Sequence, residues 1–202
     1  WHAIAPRHRA SCPRGQVMRR LSVACVRRAR KHLRCGGIIA YATESCFGLG
    51  CDPDNERALR KLLRTKRRPK SKGLIVIADQ MRRFFSLLRK IGKADNDRMQ
   101  VTWPGPHTWL VPANPRVKHA LKGQHSALAV RVTAHRDAKD LCARLTTALV
   151  STSANRTGQR PVRTTRECLR RFARDVMVIP GRIGTRKNPS TIQDLRSGGI
   201  FR

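Results

Sequence analysis

The apolar positions of this chain change period several times, and each change marks an element. From Gln16 to Cys35, the residues Val17, Leu21, Ala24, Cys25, Ala29 and Leu33 recur at helical spacing with arginines between them. Gly36-Gly37 ends that helix, because glycine readily takes the left-handed conformation that closes a C-terminus. Ile38–Ala42 is an unbroken apolar run and predicts a buried strand. It leads into Thr43–Cys51, which reads as a loop carrying small hydroxyls and two glycines. Asp52 or Asp54 is placed to cap the next helix, whose stripe is Ala58, Leu59, Leu62 and Leu63.

That helix delivers a basic corner, Lys66-Arg67-Arg68-Pro69-Lys70-Ser71-Lys72, and Pro69 stops it at about Arg68. Leu74–Ala78 is the second strand. Asp79 is placed to cap a helix running to about Ile91, and the polar stretch Gly92–Gln100 reads as loop. Thr102–Pro106 is a rigid turn, and His107–Val111 and Ala127–Val132 are strands, the latter carrying Arg131 at its end. Arg136–Leu145 is helical. Ala148–Val150 is a short strand that opens into Ser151-Thr152-Ser153-Ala154-Asn155, with Gly158 marking a turn. Thr164 caps a helix to Phe172, Val176–Ile179 and Thr191–Leu195 are strands, and Ile200–Arg202 closes the chain. Strands alternating with helices predict one α/β domain with a twisted, mixed, open sheet and flanking helices.

Composition refines this picture. The chain has 202 residues, enough for a proper core, and its apolar residues make up 40 % of it with few aromatics, so the core is mainly Leu, Ile, Val and Ala. Lys and Arg number 44 against 12 Asp and Glu, a formal charge of +32. Such an excess favours polyanionic partners and predicts a basic concave surface, but it does not by itself establish RNA binding. The first fifteen residues are basic without an apolar core segment, so they read as a disordered basic extension before a domain spanning 16–202. Seven scattered cysteines form no C-x-x-C pair or zinc-spaced array, which fits reduced thiols in a cytoplasm and no metal site. No segment reaches the roughly 18 apolar residues of a membrane span.

Four polar groups stand at the ends of apolar strands: Thr43-Glu44-Ser45, the Lys66/Arg68/Lys72 corner, Arg131, and Ser151/Ser153/Asn155. Strand ends meet on one rim of an open sheet, so these groups can face one pocket. Lysine and arginine there would bind phosphates, Arg131 a carboxylate, and the hydroxyls and amide a small polar substrate. Each group also has an ordinary reading. Thr43 and Ser45 can satisfy loop backbone, Arg131 can reach solvent, the serines can be turn residues, and a basic run is often solvated surface. Other chemistries are excluded by spacing. There is no phosphate-loop glycine pattern, no G-x-S-x-G around Ser153, and no H-E-x-x-H among seven histidines.

Seven segments in register sharpen the reading: Tyr41–Glu44, Phe47–Asp52, Lys66–Pro69, Trp103–Thr108, Leu128–Val132, Ser151–Asn155 and Asn188–Ile192. Together they closely resemble the YrdC/TsaC family over about residues 16–202, in its short single-domain form. The resemblance implies a threonylcarbamoyl-AMP synthase. Such enzymes condense L-threonine, bicarbonate and ATP with release of pyrophosphate, and partner proteins use the product for t6A modification of tRNAs that read codons starting with A. It also implies that Lys66, Arg68, Ser153 and Asn155 form the family's catalytic tetrad. Lys72, Ser151 and Arg202 then lie at further ATP contacts, and Thr43, Ser45, Arg131 and Ser190 at the threonine.

The chemistry is consistent with such a residue set. A carbamate oxygen attacking the α-phosphorus of ATP needs charge neutralisation and alignment more than a protein nucleophile. Magnesium is expected with the triphosphate, held mostly by phosphate oxygens and water. Two residues depart from the family pattern: Ala42 stands where a proline usually precedes Thr-Glu, and Arg160 where an apolar residue or proline is usual. The alternative function is a non-enzymatic module that binds double-stranded RNA or assists ribosome maturation through the same basic surface.

Overall fold

Residues 21–186 and 188–201 are described by the structure, a computed structural model. The expected extension, residues 16–20 of the expected domain, and Arg202 lie outside the described residues. Eight strands form one mixed sheet: β1 (Ile38–Ala42), β2 (Phe47–Gly50), β3 (Ile75–Ala78), β4 (His107–Pro112), β5 (Ala127–Val132), β6 (Leu149–Ser153), β7 (Val176–Val178) and β8 (Thr191–Asp194). Their spatial order is β7-β1-β2-β6-β3-β5-β4-β8. Strand β6 lies at the middle, antiparallel to both β2 and β3, while β3 and β5 run parallel.

The helices are α1 (Val23–Arg34), α2 (Glu56–Lys66), α3 (Lys93–Thr102), α4 (His119–Lys122), α5 (Arg136–Leu145) and α6 (Thr165–Phe172). Alternation along the strands divides the core in two. Ile38, Ala40, Val76, Val130 and Val150 face a cluster with the α2 stripe and with Cys168 and Phe172 of α6. Ile39, Tyr41, Ile77 and Leu149 face a second cluster with Val26, Ala29 and Leu33 of α1 and Ala138, Leu141 and Leu145 of α5. Burial on both faces is why these strands read as unbroken apolar runs.

Several expectations are corrected. Phe47–Gly50 is a strand rather than loop, hairpinned on β1 with Ala42 opposite Phe47. Its glycines disguise it, but they are required by space. A Cβ on Gly50 would lie 2.4 Å from the Val150 carbonyl oxygen and 2.8 Å from the Tyr41 ring. The cap of α2 is Asn55, whose side chain accepts from the Ala58 amide, whereas the Asp52 carboxylate accepts from the Asp54 amide in the preceding turn. The same helix ends at Lys66, because Arg67 turns left-handed (φ 51°) two residues before Pro69.

After β3, Asp79 caps no helix. Its carboxylate accepts from Arg83 and Gln80 side chains, only a 3-10 turn forms at Met81–Phe84, and Leu88 pairs with Ala113. The polar stretch expected as loop is instead helix α3, which buries only Met99 and so lacks a visible stripe. Elsewhere β1, β5 and α5 have the expected limits and Thr164 caps α6 by accepting from the Glu167 amide, whereas α1 starts at Val23 after its Ser22 cap, β6 runs past Val150 to Ser153, and α4 is unexpected.

Candidate functional site

The same alternation that builds the α1/α5 core continues past its edge. Ile39 and Tyr41 are followed two residues on by Thr43, Leu149 by Ser151 and Ser153, and Ile77 is preceded by Ile75. Arg131 lies between Val130 and Val132, which face the first core, so it belongs to this face too. Thr43, Ile75, Arg131, Ser151 and Ser153 line a cavity of about 550 Å³, a volume suited to a small organic ligand. The site lies where neighbouring strands end, as expected, and extends onto the sheet face beyond the apolar layer. Gly48 belongs to its lining. A Cβ there would sit 3.2 Å from Thr43 Cγ2 and 3.4 Å from Ser151 Oγ, narrowing the cavity.

Of the residues expected here, Thr43, Ser45, Arg68, Arg131, Ser151, Ser153 and Ser190 line the cavity. Lys66 and Asn155 stand behind the wall. The Lys66 ammonium is buried and donates to the Ser153 carbonyl, to the Asn155 carbonyl at 2.9 Å and to Asn155 Oδ1 at 3.1 Å. Ser153 Oγ in turn donates to Asn155 Oδ1 at 2.5 Å, and the Asn155 amide donates to the Gln159 carbonyl at 2.7 Å. Lys66, Ser153 and Asn155 thus meet around one turn, and Arg68, bonded to the Gly73 carbonyl at 2.8 Å, lines the cavity together with Ser153. Burial, and next the Arg68 charge, push the Lys66 ammonium down to about 8. Lys72 is exposed and does not line the cavity. Arg67 and Lys70 are exposed surface, the ordinary reading of a basic run.

Arg131 and Glu44 form a buried ion pair, Nη2 to Oε2 at 3.2 Å. Thr133 Oγ1 donates to the other carboxylate oxygen at 2.7 Å. Burial raises the Glu44 carboxyl, but the Arg131 guanidinium and the Thr133 hydroxyl together outweigh it and hold the group below the usual carboxylate range. Thr43 Oγ1 donates to the Cys46 carbonyl at 2.7 Å, so its ordinary role and its place in the lining coexist. Ser190 accepts from Thr108 Oγ1 at 2.9 Å. It is carried in by the segment after β7, whose Gly184 and Arg186 amides donate to the Thr43 and Glu44 carbonyls.

Sequence reasoning missed Cys46, Thr152, Arg160, Pro161 and Arg163 as lining and gave Glu44 no role of its own. Arg160 stood out only as a departure from pattern, and Arg163 carried no signal. Arg68, Arg131, Arg160 and Arg163 oppose a single carboxylate, Glu44, among the described lining residues. Such a wall binds anions, and its hydroxyls orient polar groups on them. Among the described residues no three His, Cys, Asp or Glu side chains gather at one point, and no helix is long and apolar enough to cross a membrane.

An α/β sheet with one arginine- and hydroxyl-lined cavity is a fold and site suited to anionic ligands. The chain belongs to the Sua5/YciO/YrdC family, whose model, described as "Telomere recombination", matches residues 31–202. It is 56% identical over 176 residues to a threonylcarbamoyl-AMP synthase of Methylobacillus flagellatus, covering 87% of this chain and 98% of that protein. A Chromobacterium violaceum protein of the same name is 54% identical, with 87% of this chain and 91% of that protein covered. Among solved structures, P. abyssi Sua5 complexed with L-threonine superposes with a TM-score of 0.80 at 25% identity. That match covers 90% of this chain and 54% of that longer one. E. coli YciO shares the fold, with a TM-score of 0.75 at 20% identity over 89% of this chain and 88% of that one.

Proposed function

We propose that this protein is a threonylcarbamoyl-AMP synthase. It condenses L-threonine, bicarbonate and ATP to threonylcarbamoyladenylate and releases pyrophosphate, in service of t6A modification of tRNA. The observation that carries the reading is the convergence of Arg68, Arg131, Ser151, Ser153 and Ser190 on one cavity, with Lys66 and Asn155 bonded immediately behind it. These residues come from distant parts of the chain, and solvated surface cations would not converge.

In this reading Arg68 and the serines of β6 hold the triphosphate, and Lys66 fixes the Ser153–Asn155 turn while lending its charge to the same region. Lys72 and Arg202 are proposed as outer contacts to the nucleotide. Arg131, Ser190, Thr43 and Ser45 hold the threonine. The carbamate oxygen attacks the α-phosphorus, the bond to the bridging oxygen breaks, and pyrophosphate leaves with that electron pair. The protein contributes alignment and charge compensation, with no covalent intermediate. The one carboxylate among the described lining residues, Glu44, is already engaged by Arg131 and Thr133, so magnesium fits as an ion held by phosphate oxygens and water. Partner proteins that transfer the threonylcarbamoyl group to tRNA would consume the product.

The test is pyrophosphate release with each substrate omitted in turn. Release should require all three and should fall by about 10²-fold or more in Lys66→Ala and Arg68→Ala. Release that continues without threonine would refute the assignment. RNA contact remains a second property to be measured, since a charge of +32 predicts affinity that falls steeply with salt.

A further inference from the structure

Glu44 is an anomaly in the cavity. A wall of four arginines is suited to anions, and a carboxylate among them opposes that purpose. If the only need were to orient Arg131, a neutral acceptor would serve without repelling a phosphate or a carboxylate ligand. Glu44 is instead built in with care. Its side chain is 14% exposed, one oxygen meets Arg131 and the other Thr133, and its backbone carbonyl accepts from the Arg186 amide. Thr133 is itself fixed, its amide donating to the Ala78 carbonyl and its hydroxyl accepting from the His135 amide. The carboxylate is held ionised, so its function is that of a fixed negative charge.

Beside it, Arg131 carries a buried Nε that has no hydrogen-bond partner among the described residues. Both side chains line the cavity, so the pair offers a ligand the guanidinium of one partner and remaining carboxylate lone pairs on the other. A molecule with a carboxylate and an ammonium on one carbon presents the complementary arrangement. We propose that Glu44 recognises the ammonium of the amino-acid substrate while Arg131 takes its carboxylate, so that the Arg131–Glu44 pair reads an α-amino acid as a zwitterion.

This inference rests on the threonine reading above and adds to it a residue that selects for substrate class. Glu44 acts in binding and is assigned no proton transfer, because a carboxyl held below its ordinary range is a poor base. Forming the carbamate removes the positive charge Glu44 recognises. The interaction therefore belongs to the substrate complex rather than to the step at phosphorus, and its loss should appear in KM for threonine more than in kcat.

The experiment is calorimetric binding of L-threonine and of 3-hydroxybutanoate, the same molecule without its ammonium, to wild type and to Glu44→Gln. In Glu44→Gln, threonine affinity should fall about tenfold or more, while that of 3-hydroxybutanoate should stay within about twofold. Equal weakening of both ligands would mean that Glu44 only orients Arg131 and would overturn the inference, as would unchanged threonine affinity. Glu44→Asp, which keeps the charge, should retain a preference for threonine over the analogue and carries the comparison if the glutamine variant does not fold. Wild type that binds neither ligand would remove the threonine assignment itself, a result distinct from any change on substitution.

Discussion

One face of the sheet has two halves with the same backbone and opposite roles. Over α1 and α5, Ile39, Tyr41, Ile77 and Leu149 pack into a closed apolar layer. Two and four residues further along the strands, Thr43, Ser151 and Ser153 line an open cavity that Arg131 enters from β5. Nothing in strand geometry separates them, since alternation simply continues. What separates them is whether a helix covers the strand at that point. Where helices cover, a polar side chain would be buried without partners; where they do not, hydroxyls and arginines can meet a ligand. The site is thus the unfinished half of a core.

The sharpest challenge to this comparison is a pair of substitutions two residues apart on β6. Leu149→Ala should cost about 2–5 kcal/mol in chemical denaturation, the expense of a cavity in a closed layer. Ser151→Ala should cost about 1 kcal/mol or less yet lower pyrophosphate release about tenfold. Equal stability losses at the two positions would erase the distinction. The β2 glycines offer a similar contrast. Gly50→Ala drives a methyl into the Val150 carbonyl and should destabilise by about 1–3 kcal/mol. Gly48→Ala meets Thr43, Ser151 and the Thr152 carbonyl at ordinary-to-tight distances, so it should leave the unfolding midpoint nearly unchanged while weakening ligand binding.

Lys66 supports the cavity wall from behind, and pH should pull its two roles apart. With its ammonium at about 8 in the folded protein, kcat/KM should fall about tenfold per pH unit above that point as the charge is lost. Stability responds in the opposite sense. The unfolded chain keeps the proton up to an ordinary 10.5, so between about 8 and 10.5 it binds more protons than the folded one. The contribution of this group to stability therefore rises across that window and is lost as pH falls through 8. Parallel pH–rate and pH–unfolding profiles of wild type and Lys66→Gln would check both signs. The smallest effect belongs to the exposed Glu56–Arg60 pair on α2. Glu56→Gln should shift stability by no more than about 0.5 kcal/mol, in contrast to the buried Arg131–Glu44 pair.

Much of the fold was legible because strongly patterned elements carry their own evidence. The α2 stripe, the β1 and β5 runs and the Thr164 cap were all visible in the residues. The failures have physical causes. Gly48 and Gly50 looked like loop residues because a strand's need for close approach resembles a loop's need for freedom. Helix α3 was hidden because one buried methionine makes no period. Asp79 resembled a cap, but a nearby arginine and glutamine took its carboxylate first.

The candidate site was legible in its residue types and only partly in its arrangement. Family pattern and strand-end position selected Arg68, Arg131, Ser151, Ser153 and Ser190 from the chain alone, because functional side chains cluster where apolar runs stop. Folding decided that Lys66 and Asn155 support the wall from behind, that Lys72 stays outside, and that Arg160 and Arg163 enter. It also decided that Glu44 reaches Arg131, far along the chain, to sit 3.2 Å away. Local sequence determines which residues can do chemistry and which segments are strand or helix, because those choices depend on neighbours a few residues away. Which face a strand end presents, and what covers it, depends on packing between distant elements, and only the tertiary structure supplies that.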